Sequence, residues 1–329
     1  MRLPKISVII PTYNRLDYLK EAATSVLKQT FDNYELIISD NHSSDGTATW
    51  GRALARNNSK VRYFRNKKNL GMVRNWNVGL DRARGKYLSV LNDDDLWEPG
   101  FLQETIKILD KKPNVGLVFV YTSIITNNGK SRQKRVNPEY FRVFKRSKEM
   151  NGVECIKKFL TGKWQVNMPS SILVRSECFS KLGKFDEIGL DLEMWLRICS
   201  KYDFYYLDKK LAYWRHHDLA YSVMSNPIDY FYERFRVLDK VIAYNYSKND
   251  IAGVFAIKDK AYFKYRIQLL NTIFSSKNKK EKEELWKIYR LYSSSTTVLK
   301  DLLRGKINNI LLIFVNLIKF SKIGAKIWN

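Results

Sequence analysis

The stretch that decides the fold is Tyr87-Leu88-Ser89-Val90-Leu91-Asn92-Asp93-Asp94-Asp95-Leu96-Trp97, in which an apolar run ends in three consecutive carboxylates. The apolar part has the length and composition of a buried strand. Adjacent like charges repel one another unless a cation neutralises them, and open α/β sheets bind ligands at the carboxyl ends of their strands. The stretch therefore predicts a ligand site, with a solvated turn that caps the next helix as the alternative.

The first ninety residues alternate between strand and helix signals. Segments with helical spacing of apolar residues separate four β-rich runs, which are Ile6–Ile10, Leu36–Ile38, Val61–Phe64 and the strand around Leu88. This alternation predicts an α/β fold, Rossmann-like, with a mostly parallel sheet flanked by helices. The carboxyl edge of that sheet would bring together three polar loops, Pro11–Asn14, Asp40–Asp45 and Asp93–Asp95. Asp45 is the expected N-cap of the second helix.

Four motifs, in this order, resemble those of the family-2 glycosyltransferases. They are Ser7–Arg15, Asp40–Thr47, a third within Asn69–Tyr87, and the Asp93–Asp95 triplet, which resembles the family's metal-binding Asp-any-Asp motif. The resemblance covers residues 3–222. It implies a GT-A fold, a nucleoside-diphosphate-sugar donor and a divalent cation, Mn²⁺ or Mg²⁺.

The resemblance also implies donor-binding roles for residues of the first three loops. The residues that would line the nucleoside are Pro11, Thr12, Tyr13 and Asn14. Asp40 would accept hydrogen bonds from the base, and its alternative role is that of a turn residue. Arg74 would contact the diphosphate, although the family often has its arginine where this chain has Trp76.

The same resemblance assigns metal and donor contacts to the acidic triplet. Alternate residues of an extended segment face the same side, so Asp93 and Asp95 are expected to face the ligand together. Asp95 would be the direct metal ligand, and Asp93 would contact the ribose or the metal through water. Asp94, which belongs to the same donor site, would point away and bond the scaffold. His217, in a segment that resembles the family's Tyr-Arg-any-His motif, would be a metal or diphosphate ligand, or alternatively a solvent-facing histidine.

A general base is expected in the second half of the chain. The segment Asp191–Arg197 resembles the family's motif for that base, which would make Asp191 the group that takes the proton from the attacking hydroxyl. Asp191 is alternatively an N-cap, a role compatible with that of a base. Glu193 and Arg197 are four residues apart and are expected to pair on one helix face, which makes Arg197 structural.

Length and composition predict a large core and two regions. A chain of 329 residues with 45% hydrophobic content can bury a large core, in one domain plus an appendage. With the resemblance, this predicts a GT-A domain over residues 1–225 and a basic helical C-terminal region over 226–329. Helical spacing recurs over Asp229–Leu270 and Glu281–Leu291. The start of the chain carries no secretory signal, and scattered cysteines without metal spacing fit a reducing cytoplasm; they are Cys155, Cys178 and Cys199.

The net charge of +25 predicts an anionic partner. Much of the charge lies in the tail, where Ile307–Phe320 is apolar but too interrupted to span a bilayer. The tail is predicted to be an amphipathic helix on an anionic membrane surface, with a core helix as the alternative. A nucleic-acid-binding protein would also be basic, but the charge does not interleave with a recognisable binding motif, so no nucleic acid is expected as a partner.

These features together predict an inverting, metal-dependent glycosyltransferase, peripheral on the cytoplasmic face of the cell membrane. As the resemblance implies, it would transfer a sugar to a hydroxyl of a lipid-linked glycan in bacterial surface-polysaccharide (O-antigen or capsule) assembly. A sugar-phosphate nucleotidyltransferase is the alternative, but it would need a glycine-rich phosphate loop where Pro11–Asn14 stands. Acceptor specificity is expected in Thr126–Gln165.

Overall fold

The structure is a computed structural model that describes residues 3–125, 144–160, 168–187, 190–217, 226–246 and 251–293. Two predictions fall wholly or partly outside these ranges. The predicted membrane helix of the tail lies outside them entirely. The predicted acceptor region, Thr126–Gln165, is described only over 144–160, which contain a short strand and a helix.

The first half of the chain contains each strand and helix that the sequence predicts. The elements are β1 (Ile6–Thr12), α1 (Leu16–Leu27), β2 (Tyr34–Asp40), α2 (Thr47–Asn57), β3 (Val61–Arg65), α3 (Met72–Arg82) and β4 (Tyr87–Val90). The four strands are parallel, in the order β3-β2-β1-β4. Every residue of β1, β2 and β4 is buried, as expected for strands that helices cover on both faces.

The second half extends this sheet with strands of mixed direction. Its elements are β5 (Leu96–Trp97), α4 (Phe101–Lys111), β6 (Val115–Ile125), β7 (Lys148–Met150), α5 (Gly152–Leu160), β8 (Ile172–Arg175), α6 (Ser176–Leu182), α7 (Leu190–Cys199) and β9 (Asp203–Arg215). Antiparallel β8 joins β4 to β6, and β9 lies parallel to β6. The full order is β3-β2-β1-β4-β8-β6-β9-β5, with β7 on β9. The predicted α/β fold with a mostly parallel sheet is confirmed.

The loops at the carboxyl edge of the sheet hold one another in place. Asn14, which has a φ of 53°, donates its N–H to the Ser43 hydroxyl at 3.0 Å, and its side-chain oxygen accepts the Ser44 N–H at 2.7 Å. The Asp45 carboxylate accepts the N–H groups of Leu16 at 2.9 Å and Thr47 at 3.2 Å. Asp45 therefore serves the starts of both α1 and α2, although Gly46 occupies the N-cap position that was predicted for Asp45.

A close approach between α5 and the end of α7 positions α7, the helix that carries Asp191. The N–H of Gly152 donates to the Asp203 carboxylate at 3.1 Å. A Cβ at residue 152 would lie 2.0 Å from the carbonyl oxygen of Cys199 and 2.5 Å from that of Tyr202. Only glycine fits there, because both neighbours are backbone atoms that cannot turn aside.

The remaining described elements are the helices α8 (Pro227–Tyr246), α9 (Ile251–Ser275) and α10 (Lys279–Leu291), which confirm the predicted helical segments. Contacts divide the chain into one compact unit formed by the residues up to Ser225 with Arg236–Lys258, and a second formed by Asn226–Phe235 with the residues from Asp259 onward. In the second unit, Phe235 stacks on Tyr292 at 4.3 Å between ring centroids. No helix among the described residues is long and apolar enough to span a membrane.

The contact at Gly152 makes a prediction about stability. Gly152→Ala should lower the free energy of unfolding by about 1–3 kcal/mol, because the added methyl group overpacks a backbone contact. In Gly100→Ala the added Cβ would meet its nearest neighbour at 3.7 Å, so the loss should stay below about 1 kcal/mol. Urea denaturation of the two variants measures the difference, and equal stability would contradict the packing described for α5.

Candidate active site

A cavity of about 410 Å³ opens at the carboxyl edge of β1, β2 and β4. Loops from both halves of the first unit line it. The predicted site residues that reach its wall are Pro11, Thr12, Tyr13, Asp93, Asp94 and Asp191. The predicted convergence of the polar loops after β1, β2 and β4 is therefore confirmed.

The acidic triplet does not have the predicted orientation. Asp93 and Asp94 line the cavity, whereas Asp95 is fully buried behind it. The Asp95 carboxylate accepts the backbone N–H of Arg215 at 2.9 Å and the Ser170 hydroxyl at 2.5 Å. Asp95 therefore does not face the cavity, contrary to the expectation that it is the direct metal ligand, whereas Asp94, which was expected to point away, reaches the cavity wall. The physical reason is a turn at residues 93–94, which breaks the alternation of an extended segment.

The Asp94 carboxylate is the meeting point of two basic side chains. Its Oδ2 accepts a hydrogen bond from Nη1 of Arg15 at 2.9 Å, and Nε2 of His217 lies 2.9 Å away from the same oxygen. The Arg15 Nη1 also lies 3.4 Å from Oδ1 of Asp93. His217 is buried against Tyr18, so the solvent-facing alternative is wrong. Sequence reasoning missed Arg15, which directly follows the Pro11–Asn14 loop.

The electrostatics of the turn favour a cation. Burial raises the pKa of Asp93 and of Asp95 above the ordinary carboxyl range, and the negative charge of Asp94 raises both further. Arg15 opposes this shift at Asp93. Both groups would ionise more readily beside an additional positive charge.

The donor groups at the turn fit Mn²⁺ or Mg²⁺. Carboxylate oxygens of Asp93 and Asp94 are hard ligands, and the imidazole of His217 suits a transition metal such as Mn²⁺. Nδ1 of His217 is buried and has no hydrogen-bond partner within the described chain. The described residues contain no cluster of three or more His, Cys, Asp or Glu side chains arranged to hold a metal. Mg²⁺ commonly takes only one or two carboxylates and completes its shell with substrate phosphates and water.

Asp40 does not face the cavity, so its predicted contact with the base is not supported. It is fully buried, and its carboxylate accepts the N–H of Ser43 at 2.8 Å and the hydroxyl of Tyr63. The alternative role of a turn residue is the one found in the structure. Strand β2 extends to Asp40, which pairs with Arg65 of β3, so the Asp40 side chain lies on the same face of the sheet as the side chains of Arg65 and Tyr63.

Asn41 lines the cavity in place of Asp40, and sequence reasoning missed it as a site residue. Its side-chain NH₂ donates to Oδ1 of Asn69 at 2.7 Å, and its oxygen accepts the N–H of Leu70 at 2.9 Å. These bonds hold the loop that follows β3, and Asn69 and Gly71 of that loop also line the cavity. The wall next to the Pro11–Asn14 loop is thus formed by neutral amides.

Two other predicted donor contacts lie off the cavity wall. Asn14 holds the loops together, as described above. The Arg74 side chain is 68% exposed and pairs with Glu187 at 2.9 Å, so the predicted contact with a diphosphate is not found. Trp76, two residues further along α3, does line the cavity and packs edge-on against Phe185.

Asp191 reaches the cavity from the first turn of α7. It is the second residue of the helix, inside the first turn rather than ahead of it, so the N-cap alternative does not hold. The predicted pair forms on this helix: Arg197 donates to the buried Glu193 at 2.7 Å, and it also donates to the carbonyl of Leu182 at 2.6 Å. Arg197 is therefore structural, as predicted, and it fixes α7 and with it the position of Asp191.

Arg215 is a further residue whose importance only the structure reveals. Its side chain is fully buried; Nε donates to the carbonyl oxygen of Asp94 at 2.9 Å, and Nη2 pairs with Glu21 of α1 at 2.6 Å. Together with the N–H bond to Asp95, these contacts attach the end of β9 to the acidic turn. The sequence signal that could have identified Arg215 is its position in Tyr213–His217, the segment that resembles the family's Tyr-Arg-any-His motif.

Comparison with known proteins places this site in a family. The model of the family described as Glycosyl transferase family 2 matches residues 7–182. A glycosyltransferase of Rickettsia typhi is 30% identical over 219 residues, which are 65% of this chain and 65% of the relative. Another of Rickettsia bellii is 38% identical over 128 residues, 39% of this chain and 18% of the relative.

One relative has a specific name. The GalNAc(5)-diNAcBac-PP-undecaprenol beta-1,3-glucosyltransferase of Campylobacter jejuni is 32% identical over 167 residues, 44% of this chain and 53% of the relative. The chain covers less than two thirds of the length of each of these three relatives.

Solved structures share the fold. Residues 1–349 of TarS of S. aureus, in complex with UDP-GlcNAc, superpose with a TM-score of 0.66 at 17% identity, covering 86% of this chain and 79% of that TarS chain. The mannosyltransferase PcManGT of Pyrobaculum calidifontis, in complex with GDP-Man and Mn²⁺, gives 0.52 at 16% identity, covering 92% and 84%. Because the family model spans more than half of the sequence and the sheet is that of the GT-A enzymes, the chain belongs to glycosyltransferase family 2 and has the GT-A fold.

Proposed function

We propose that the protein transfers a sugar from a nucleoside diphosphate to a hydroxyl of a lipid-linked glycan, with inversion at the anomeric carbon. The observation that carries this proposal is that the acidic turn and Asp191 line one cavity, although a hundred residues separate them in sequence. A transferase of this kind needs a group of residues that holds the donor diphosphate and a base that activates the acceptor.

Asp191 is the base in this proposal. Its carboxylate takes the proton of the acceptor hydroxyl while that oxygen forms a bond to the anomeric carbon of the donor. The bond between that carbon and the diphosphate breaks, and the bonding electrons leave with the diphosphate. Attack from the face opposite the leaving group inverts the configuration. Helix α7 orients Asp191, because Arg197 donates to the carbonyl oxygens of Leu182 and Lys184 outside the helix and so holds α7 in place.

The donor lies, in this proposal, against the loop Pro11–Tyr13 and the amides of Asn41 and Asn69. The Tyr13 ring is 45% exposed and offers contact area to the nucleoside. TarS, with a similar fold, has been solved with UDP-GlcNAc, and PcManGT with GDP-Man, which supports a nucleoside-diphosphate sugar.

Asp93, Asp94 and His217 are the groups that would hold a divalent cation, Mn²⁺ or Mg²⁺, and the Mn²⁺ in the PcManGT complex supports this. When bound, such an ion supplies Lewis-acid stabilisation of the charge that develops on the diphosphate. Arg15 already contacts the same two carboxylates, so it is placed to hold the turn together before the donor binds.

The acceptor assignment rests on the C. jejuni relative, whose name states that it acts on a PP-undecaprenol-linked glycan. A lipid-linked acceptor implies work at a membrane surface. We infer the cytoplasmic face of the bacterial cell membrane, in surface-polysaccharide assembly such as that of O-antigen or capsule.

The donor site makes the first functional prediction. Asp94→Asn should lower transfer by on the order of 10²-fold, because the cation loses a charged ligand, and it should also lower the melting temperature, because Arg15 and His217 lose the carboxylate that they contact. Asp95→Asn should lower stability by about 1–3 kcal/mol but keep Mn²⁺ binding, because an amide cannot accept from all the donors around a buried carboxylate that does not face the cavity. Thermal denaturation and Mn²⁺ titration of both variants measure these effects. If Asp95→Asn alone weakened Mn²⁺ binding and kept normal stability, Asp95 would be the metal ligand, as the sequence predicts.

A second prediction tests the base. Asp191→Asn should reduce kcat by about 10²–10⁴-fold while donor affinity is retained, since only proton transfer is affected. Glu187→Gln is the matched control, because that exposed carboxylate precedes the same helix and pairs only with Arg74 among the described residues. A near-normal rate in Asp191→Asn would require a different base.

The proposed activity itself is tested by a panel of nucleotide sugars. We expect one of them to protect the wild-type protein against thermal unfolding in the presence of Mn²⁺, and Asp94→Asn to lose that protection. Product analysis with a soluble glycan acceptor then identifies the anomeric configuration. A product that retains the donor's configuration, or protection that persists in excess chelator, would contradict the proposed mechanism.

A further inference from the structure

The basic charge of the first unit is concentrated in one segment of the chain. Residues 47–86 contain 11 Lys and Arg and a single carboxylate, Asp81, a net charge of +10. The flanking segments are net acidic: residues 3–46 have six carboxylates against four basic side chains, and residues 87–125 have six against three. The positive charge is therefore local and is not a general property of the domain surface.

This segment forms one side of the sheet. It comprises α2, the edge strand β3, the loop that follows β3, α3 and the connection to β4. We call this surface the β3 edge. Its exposed basic residues are Arg52, Arg56, Arg65, Lys67, Lys68, Arg74, Arg82, Arg84 and Lys86. They extend from the loop beside the cavity to the opposite end of the strand.

Carboxylates of the fold neutralise only part of this charge. The buried Glu35 pairs with Arg62 and Arg84, each at 2.8 Å, and Asp40 lies 3.5 Å from Arg65. Burial opposes the ionisation of Glu35, but hydrogen bonds from Ser7, Arg84 and Arg62 outweigh it and hold its pKa below the ordinary value. These pairs belong to the internal structure of the sheet.

Six exposed basic side chains of the β3 edge have no ion pair or side-chain hydrogen bond within the described chain. Arg82 and Lys86 lie over the rings of Phe64 and Tyr87, and the other four are Arg52 and Arg56 on α2, and Lys67 and Lys68 in the loop after β3. Charged side chains on an edge strand prevent it from pairing with other strands. That function explains charge on β3 itself, but it does not explain charge on α2 or on a loop. The described fold therefore gives these four charges no ion-pair partner.

We propose that the β3 edge is an electrostatic docking surface for an anionic phospholipid bilayer. Lys67 and Lys68 immediately precede Asn69 and Gly71, which line the cavity. A bilayer bound along this edge would lie beside the cavity mouth, where a lipid-linked acceptor is confined. The choice of a bilayer rests on the proposed lipid-linked acceptor. The residues of the β3 edge are different from those of the predicted membrane helix of the tail.

The attraction is purely electrostatic, because the large apolar side chains that are exposed in the described chain lie elsewhere. They are Leu3, Tyr13, Tyr232 and Leu291. Each Lys or Arg near an anionic surface strengthens binding by roughly 5-fold, and salt screens the attraction within a Debye length. Binding through the β3 edge should therefore disappear at high ionic strength.

The test uses the full chain and charge-neutral substitutions of exposed residues. The β3-edge variant combines Arg52→Gln, Arg56→Gln, Lys67→Gln and Lys68→Gln. The control variant makes the same change of net charge elsewhere in the first unit, at exposed lysines, with Lys28→Gln, Lys111→Gln, Lys201→Gln and Lys210→Gln. Flotation is measured on vesicles of phosphatidylcholine alone and of phosphatidylcholine with an equal part of phosphatidylglycerol, at low and high salt.

We expect the β3-edge variant to lose on the order of 10²-fold or more in affinity for the anionic vesicles at low salt, and the control variant to lose far less. Equal flotation of the wild type and the β3-edge variant would overturn the proposal, as would equal losses in the two variants. Competition by RNA or heparin at low concentration, together with weak vesicle binding, would instead indicate a soluble polyanion and would also overturn it.

A transfer assay separates this proposal from the proposed function. With a soluble acceptor, the β3-edge variant should match the wild type, because none of the four residues lines the cavity. With the acceptor embedded in anionic vesicles, the variant alone should be slower. If no glycan acceptor is used by any of the proteins, the proposed function fails, while the flotation result still decides whether the β3 edge binds the bilayer.

Discussion

The structure depends on the burial of three consecutive carboxylates in one turn. Each carboxylate requires partners, because buried charge that is not compensated destabilises the folded chain. Asp94 has Arg15 and His217, and Asp95 has the Ser170 hydroxyl and the N–H of Arg215. These partners come from the loop after β1, from the turn before β8 and from the end of β9. The acidic turn therefore ties the two halves of the sheet together.

The three carboxylates of the acidic turn have different roles: one is structural and two face the cavity. Asp95 holds the turn from behind, which leaves Asp93 and Asp94 on the cavity wall. Arg215 extends the network to Glu21 on α1, so the acidic turn and the first helix share one buried guanidinium. The hydrogen bonds of Asp95 and Arg215 hold the charged groups of the site at fixed positions before a substrate binds. This network is also why carboxylates with raised pKa values are tolerated here.

The cavity and the β3 edge have opposite electrostatic characters although the same loop serves both. Asn69 and Gly71 line the cavity, and Lys67 and Lys68 lie just before them on the exposed side. In the proposed function, the acidic turn faces the donor, and the β3 edge faces the membrane that carries the acceptor. A net charge of +25 alone does not distinguish this arrangement from uniform solvation of lysines, because the distribution of charge over the surface depends on the fold.

The sequence by itself determined the order of strands and helices in the first half, the carboxyl edge as the site, the candidate base Asp191 and the pair between Glu193 and Arg197. The elements and the pair depend on local periodicity and short spacings, and the candidate base on the resemblance of Asp191–Arg197 to a family motif; the chain carries all of these in any context. Only the tertiary structure decided which carboxylate faces the ligand. A turn at residues 93–94 turned Asp95 inward, and the longer strand β2 directed Asp40 toward Tyr63. Ser170 and Arg215, which contact Asp95, and Tyr63, which contacts Asp40, are distant in sequence from these carboxylates. A local sequence pattern therefore cannot predict which carboxylate they contact.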